Sequence, residues 1–438
     1  MTTLWQKSSA ELNSEVASYT VGDDIKIDII LMPYDIDASK AHAEGLQKIG
    51  VLTEEELFTL LACLGELKKL WKQGRISITD SDEDCHTVIE NYLAKELGDI
   101  GKKIHTGRSR NDQILVALRL FMKEKLQKIR TEALVLSKAF LASARTHQNV
   151  PLPGYTHMQQ AMLSSVSHYY CSFVESLLDD IEYMDSVKKH IDKNPLGSAA
   201  GFGVAFPLDR EYTTKKLGFG SIQVNSLYCQ NSRGKFESLY LESLVQIMMT
   251  LGKFATDLLL FTSQEYDFFE VDETLVTGSS IMPQKKNLDG MEILRGYVSV
   301  VMGHQRMVQD IVKSLPSGYN RDFQLMKKPL IESIEIVLKS IEVTKLYLNG
   351  VTPKKDVIES KIGKDIFMAD AANALVKKKD IPFREAYKIA AEQMESYEVD
   401  FKENIASKVS MGAPGNLCFE YYKEKIQIFA NAKSPHIP

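Results

Sequence analysis

The segment from Asp112 to His147 contains neither glycine nor proline. Along it Ile114, Leu115, Leu118, Phe121, Met122, Leu126, Ile129, Ala133, Leu134 and Leu136 recur with a helical period. A helix of ~35 residues is ~50 Å long, and its apolar stripe must be covered by other elements. Similar stretches run through residues 159–191, 234–264, 287–314 and 325–349. Five such helices predict one shared core and an extended helical bundle, a mostly α fold. Thirteen prolines in 438 residues leave room for helices of this length. Strand-like alternation is local, as at residues 75–79.

Residues 40–73 carry leucines at helical spacing, and Thr53 followed by Glu54, Glu55 and Glu56 predicts a capped helix start. Gly74 is placed to end that helix. Val351-Thr352-Pro353 reads as a boundary after Gly350. Three units are expected: an N-terminal helical domain (1–105), a central long-helix bundle (106–350) and a small C-terminal helical domain (351–438).

Lys and Arg number 53 against 58 Asp and Glu, a net charge of −5. No basic excess points to nucleic acid. Five cysteines, an odd number with no CxxC pair, argue against a disulfide scaffold or a structural zinc site. A reducing cytoplasm fits them, and MTTLWQKSSAELNSE lacks the apolar core of a signal peptide. The charge-free run 150–174 contains histidines, prolines, Ser and Gln, so no membrane span is expected there.

The interruptions between helices carry the chemistry-bearing residues. His105-Thr106-Gly107-Arg108-Ser109-Arg110-Asn111-Asp112 gathers arginines, hydroxyls and an amide before a long helix, a setting suited to carboxylate or phosphate or simply to a polar cap. Pro153-Gly154-Tyr155-Thr156-His157-Met158-Gln159 puts a histidine, a proton donor or acceptor near neutral pH, at a loop–helix junction. Thr277-Gly278-Ser279-Ser280-Ile281-Met282-Pro283-Gln284-Lys285-Lys286-Asn287 offers hydroxyls, backbone donors and a lysine able to stabilise an oxyanion; a flexible linker is the plain alternative. Asp82-Glu83-Asp84-Cys85-His86 lacks metal-ligand spacing, and the glycines of 197–203 lack the dinucleotide-binding order.

Taken together, GSSIMPQKKN, HTGRSRND, PGYTHMQ and PSGYNRDFQ resemble, in order, the motifs of the argininosuccinate lyase family of the fumarase/aspartase superfamily. GSSIMPQKKN alone is shared with fumarase, aspartase and adenylosuccinate lyase; the other three narrow the resemblance. It implies a mostly helical three-domain fold and a homotetramer with a twenty-helix core, each active site shared between three subunits. It implies reversible anti β-elimination of argininosuccinate to arginine and fumarate, with no cofactor and no metal.

By the same resemblance Ser279 is the base, with Ser280 as the alternative. His157 is the acid or proton relay, Glu292 its carboxylate partner, and Lys285 the cation that stabilises a serine alkoxide. Ser109, Asn111, Thr156, Lys285 and Asn287 hold the fumarate-side carboxylates. Arg110 and Arg233 lie in or near the pocket. Tyr319, Gln324 and Lys327 meet the amino-acid end of the substrate, and His86 lies close by.

The chain also departs from the pattern. Leu4-Trp5-Gln6-Lys7-Ser8-Ser9 stands where many members have Leu-Trp-Gly-Gly-Arg-Phe, and Gly22-Asp23-Asp24 falls where an Asn-x-Ser contact is expected. Met162-Leu163 and Leu288 replace a Gln-Pro and a proline. Two alternatives follow: a sister lyase releasing fumarate from another N-substituted aspartate, and a non-catalytic protein like the lens crystallins recruited from this family.

Overall fold

The computed structural model describes residues 13–79, 82 and 84–431. Its centre is five long helices: Arg110–Thr146, Val166–Ile191, Lys235–Phe261, Asp289–Val312 and Lys327–Gly350. The first has 37 residues. Ser109 caps it: its Oγ accepts from the Asn111 N–H, while Asp112 accepts from the Ser109 N–H. All five helices contribute side chains to one apolar core. The rings of Phe140, Phe173 and Phe254 meet there at 5.2–5.5 Å. The Lys235–Phe261 helix is apolar enough to cross a membrane by composition, but its Tyr240, Leu244, Met248 and Leu251 are bundle core.

A second core joins the helices Asp24–Lys48, Glu54–Lys72 and Cys85–Leu97. The expected cap is present: the Thr53 Oγ1 accepts from the Glu56 N–H, and Glu56 returns the contact to the Thr53 N–H. Beyond the bundle, Val351–Pro353 pairs antiparallel with Phe269–Val271. Short helices follow, with small cores around Ile366, Phe367 and Ile405 and around Ala372, Ala386 and Ala390. The Phe419–Asn431 helix then packs Tyr422 and Ile426 into the main core.

Two expectations are corrected. Residues 150–157, read as a loop, and 159–165, read as helix, form an antiparallel hairpin of Pro151–Thr156 with Gln159–Ser165. The helix starts only at Val166, capped by Ser165. Two prolines deny the first segment helical hydrogen bonds, and the second then completes its own by pairing with it. Residues 75–79 form no strand, because no described segment pairs with them.

Candidate active site

Three helices, Cys85–Leu97, Arg110–Thr146 and Lys327–Gly350, begin beside one another, so their positive ends converge. With the Asp24–Lys48 helix they surround a cavity of about 140 Å³. Seven expected site residues line it: His86, Arg110, Asn111, Arg233, Tyr319, Gln324 and Lys327. Asp24, Asp28, Asp84 and Arg321 join them.

Most of these side chains are held in place by the chain itself. The Arg110 guanidinium donates to Asp84 Oδ2 (3.0 Å) and Thr87 Oγ1 (2.7 Å). Burial pushes the Asp84 carboxyl up, but His86, Arg110 and the Thr87 donors bring it below the usual range. The buried Lys327 ammonium sits 2.8 Å from Asp24 and 2.7 Å from Asp28. Burial disfavours its charge, yet the two carboxylates hold its pKa above the ordinary lysine value. The Gln324 amide donates to the carbonyls of Thr20 and Val21. Buried Arg233 lies over the rings of Tyr319 and Phe323, and its Nε and Nη1 have no partner.

His86 Nδ1 donates to buried Asp35 at 2.7 Å, while its Nε2 has no partner. Burial opposes an imidazolium here, but the Cys85 sulfur and the Asp35 carboxylate together outweigh it and raise the His86 pKa. Burial pushes the Cys85 thiol itself up to about 12. Asp28, Cys85 and His86 have donor atoms within 4.8 Å of one another. They fit a metal poorly: Asp28 pairs with Lys327, Asp35 takes the His86 Nδ1 proton, and the thiol is protonated.

The second group sits on the loop that opens the Asp289–Val312 helix. Reciprocal backbone hydrogen bonds of 2.9 Å between Thr277 and Asn287 close the loop at its base. Ser279 Oγ accepts from the N–H groups of Ile281 (3.3 Å) and Met282 (3.1 Å). No such pair of donors is aimed at the Ser280 hydroxyl among the described residues. Among the described residues the side chains of Lys285 and Glu292 have no hydrogen-bond or ion-pair partner, and both are exposed.

His157 forms a third site. With Met158 it makes the two-residue turn of the hairpin, at φ +53° and +61°. That turn normally takes Asn-Gly, because each side chain at positive φ is strained by about 1–2 kcal/mol. Strain of this kind clusters where a side chain must be presented. Thr156 and His157 are exposed, and the His157 imidazole has no partner among the described residues. Within one chain the expected His157–Glu292 pair is therefore not formed, because the two lie on separate exposed segments.

Asp112 was read only as part of a cap, but it does more. Its buried carboxylate accepts from the N–H groups of Ser109, Gly197 and Ala199 at 2.9–3.0 Å. It thereby ties the glycine-rich 197–203 loop to the start of the Arg110–Thr146 helix. Asp112→Ala should cost about 3 kcal/mol or more, since three backbone donors lose their acceptor. Urea unfolding monitored by circular dichroism checks this; an unchanged midpoint would refute it.

Asp24, Asp28 and Asp35 also escaped the motif reading. Their spacing of four and seven residues places them on one buried face of the helix, and that was the available signal. The divergent residues 4–9 lie outside the described residues.

Residues 14–303 match the model of a protein family described as Lyase. The chain is 41% identical to the argininosuccinate lyase of Thermotoga neapolitana, over 89% of this chain and 98% of that one. It is 41% identical to the argininosuccinate lyase of Sorangium cellulosum, over 95% and 96%. Among solved structures, EDDS lyase in complex with formate superposes with a TM-score of 0.77 at 22% identity, covering 96% of this chain and 90% of that one. The class II fumarase of Schistosoma mansoni superposes at 0.73 and 16%, covering 95% and 94%. The fold is therefore that of the fumarase/aspartase superfamily, and identity sustained over nearly the full length of both chains shows that this chain belongs to the argininosuccinate lyase family.

Proposed function

We propose that this lyase cleaves argininosuccinate reversibly to L-arginine and fumarate by anti β-elimination. A base removes a proton from the carbon beside a succinyl carboxylate, and charge builds on that carboxylate as the C–N bond breaks. Ser279 is the base. The observation that carries this is the pair of loop N–H groups on its Oγ, which favour the alkoxide over the hydroxyl. Lys285 supplies the remaining positive charge. His157 returns a proton to the leaving guanidino nitrogen or relays it, with Glu292 orienting the imidazole. Ser109, Asn111, Thr156 and Asn287 hold the fumarate-side carboxylates, helped by the converging helix ends. Tyr319, Gln324 and Lys327 face the amino-acid end, with Arg110, Arg233 and His86 around them.

The working unit in this proposal is a homotetramer with sites shared between subunits. Three groups of site residues lie apart on one chain, and the cavity of about 140 Å³ is small beside a whole-ligand site of about 300 Å³. The Asp289–Val312 helix supports the same reading. It buries only Met291, Leu294, Val301 and Val308, while Ile293, Tyr297, Val300, Met302 and Met307 face outward. Light scattering should find a particle of four 49.3 kDa chains. The five free cysteines suit a reducing cytoplasm.

The direct test follows fumarate by ultraviolet absorbance after mixing the purified protein with argininosuccinate, and measures arginine in the same sample. Equal amounts of both products are expected. Fumarate released instead from adenylosuccinate, aspartate or another succinyl-amine would transfer the assignment to a sister lyase.

A further inference from the structure

We propose that Asp24 is a specificity-determining residue: together with Asp28 it binds the α-ammonium of the substrate's amino-acid end, while Arg233 and His86 face the carboxylate of that same end. This rests on the reading of the chain as an argininosuccinate lyase and deepens it.

The argument begins with charge. Asp24 and Asp28 lie one helical turn apart and share a single ammonium, that of Lys327. Each meets it through Oδ1, and neither Oδ2 accepts a hydrogen bond among the described residues. Two carboxylates therefore share one ammonium at contact distance, with the His86 ring within 4.8 Å of Asp28. Burial, and then the neighbouring Asp28 charge, push the Asp24 carboxyl up to about 6, against the opposing pull of Lys327 and the more distant Arg321. A carboxylate in that condition gains from a second cation.

An independent observation points to the other half of the ligand. In the lining of the same cavity, His86 Nε2 and Arg233 Nε and Nη1 are buried without an acceptor among the described residues. His86 is 2% exposed and Arg233 4%. Buried donors of this kind normally have a partner, and a ligand carboxylate supplies one. Surplus acceptors and surplus donors lining one cavity describe an α-amino acid zwitterion. A cavity of about 140 Å³ suits such a head group and not the whole of argininosuccinate. The proposal also accounts for Gly22-Asp23-Asp24 where an Asn-x-Ser contact was expected: a carboxylate stands in place of a neutral hydroxyl.

Isothermal titration of the intact protein with L-arginine and with its des-amino analogue, 5-guanidinopentanoate, tests this. At pH 7.5 the wild type should bind L-arginine ~10-fold or more tightly than the analogue, the contribution of one charge-assisted contact. In Asp24→Asn that ratio should fall at least ~5-fold. The KM for argininosuccinate should rise while kcat changes little. A merely structural role would weaken both ligands alike and leave their ratio unchanged, which would overturn the proposal.

The pH profile gives a second reading. Ionised Asp24 is the binding form, so wild-type affinity for L-arginine should strengthen between pH 5 and pH 7, and the rise should be absent in Asp24→Asn. The charged groups around Asp24 are Lys327, Asp28, Arg321 and Arg233, with His86, Arg110 and Asp84 in the same cavity lining. Should Asp24→Asn fail to fold, Asp24→Ser keeps the Lys327–Asp28 pair, and a flat wild-type profile alone would refute the idea. If argininosuccinate is cleaved but L-arginine and its analogue bind equally, only this inference falls. If nothing is cleaved yet L-arginine is still preferred, only the catalytic reading falls.

Discussion

Ser279→Ala should lower turnover of argininosuccinate by at least ~10²-fold while the protein stays folded. The partly exposed hydroxyl contributes little to packing. What alanine removes is the oxygen on which the Ile281 and Met282 N–H groups converge. In the proposed mechanism those donors, with Lys285, make serine usable as a base, since an unassisted hydroxyl is far too weak. His157→Asn should cost a similar factor for a separate reason, loss of the proton donor. Near-normal activity in both variants would sink the assignment. The positions of the two residues add a sharper form of the test. Ser279 and His157 lie on different exposed segments of one chain. If each site takes them from different subunits, a refolded mixture of the two inactive variants should regain activity. Random mixing leaves about a quarter of sites with both residues intact. No recovery from a mixture proved to contain hybrid tetramers would show that both residues come from one subunit.

Lys327→Met should destabilise the fold by about 3–5 kcal/mol. Methionine fills a similar volume, but Asp24 and Asp28 would remain in a buried site with no cation. The sign of the pH dependence follows. The Asp24 carboxyl already has its folded-state pKa raised to about 6, and loss of Lys327 removes the charge that opposes this, so the variant's folded state weakens as pH rises through the raised value. The deficit against the wild type should therefore shrink on going from pH 7 to pH 5. In the wild type, Lys327 has its own pKa raised, so its contribution persists from acid through neutral pH and is lost only at strongly alkaline pH. Urea midpoints at pH 5 and pH 7 measure both effects. A variant as stable as the wild type at pH 7 would show that the ion triad is not a structural element.

The long helices were legible because their signal is local and repeated. A run free of Gly and Pro with a 3.6-residue apolar period has few other ways to bury itself. The Thr53 cap was legible for the same reason, since donor and acceptor lie three residues apart. The Pro151–Ser165 hairpin was not. Its second strand carries a pattern that also suits a helix, and only the proline-bearing first strand beside it decides the matter. Residues 75–79 show the converse: alternation without a neighbour to pair with remains irregular.

The motifs named fourteen site residues, and half of them line one cavity. What no motif revealed was the setting of each side chain. Asp35 is 51 residues from His86 in the chain and 2.7 Å from it in space. Lys327 meets Asp28 across 299 residues. Charge state depends on burial and on such partners, neither of which is a property of sequence spacing. The sequence by itself determined the helices, their need for a shared core, the family and the residue types available for elimination chemistry, because these depend on local period and on motif order. Tertiary structure alone decided that Ser279 rather than Ser280 receives two backbone donors, that His157 sits on a strained turn, and that two aspartates compete for one lysine. Those outcomes depend on long-range packing, which sets distance, desolvation and backbone strain together.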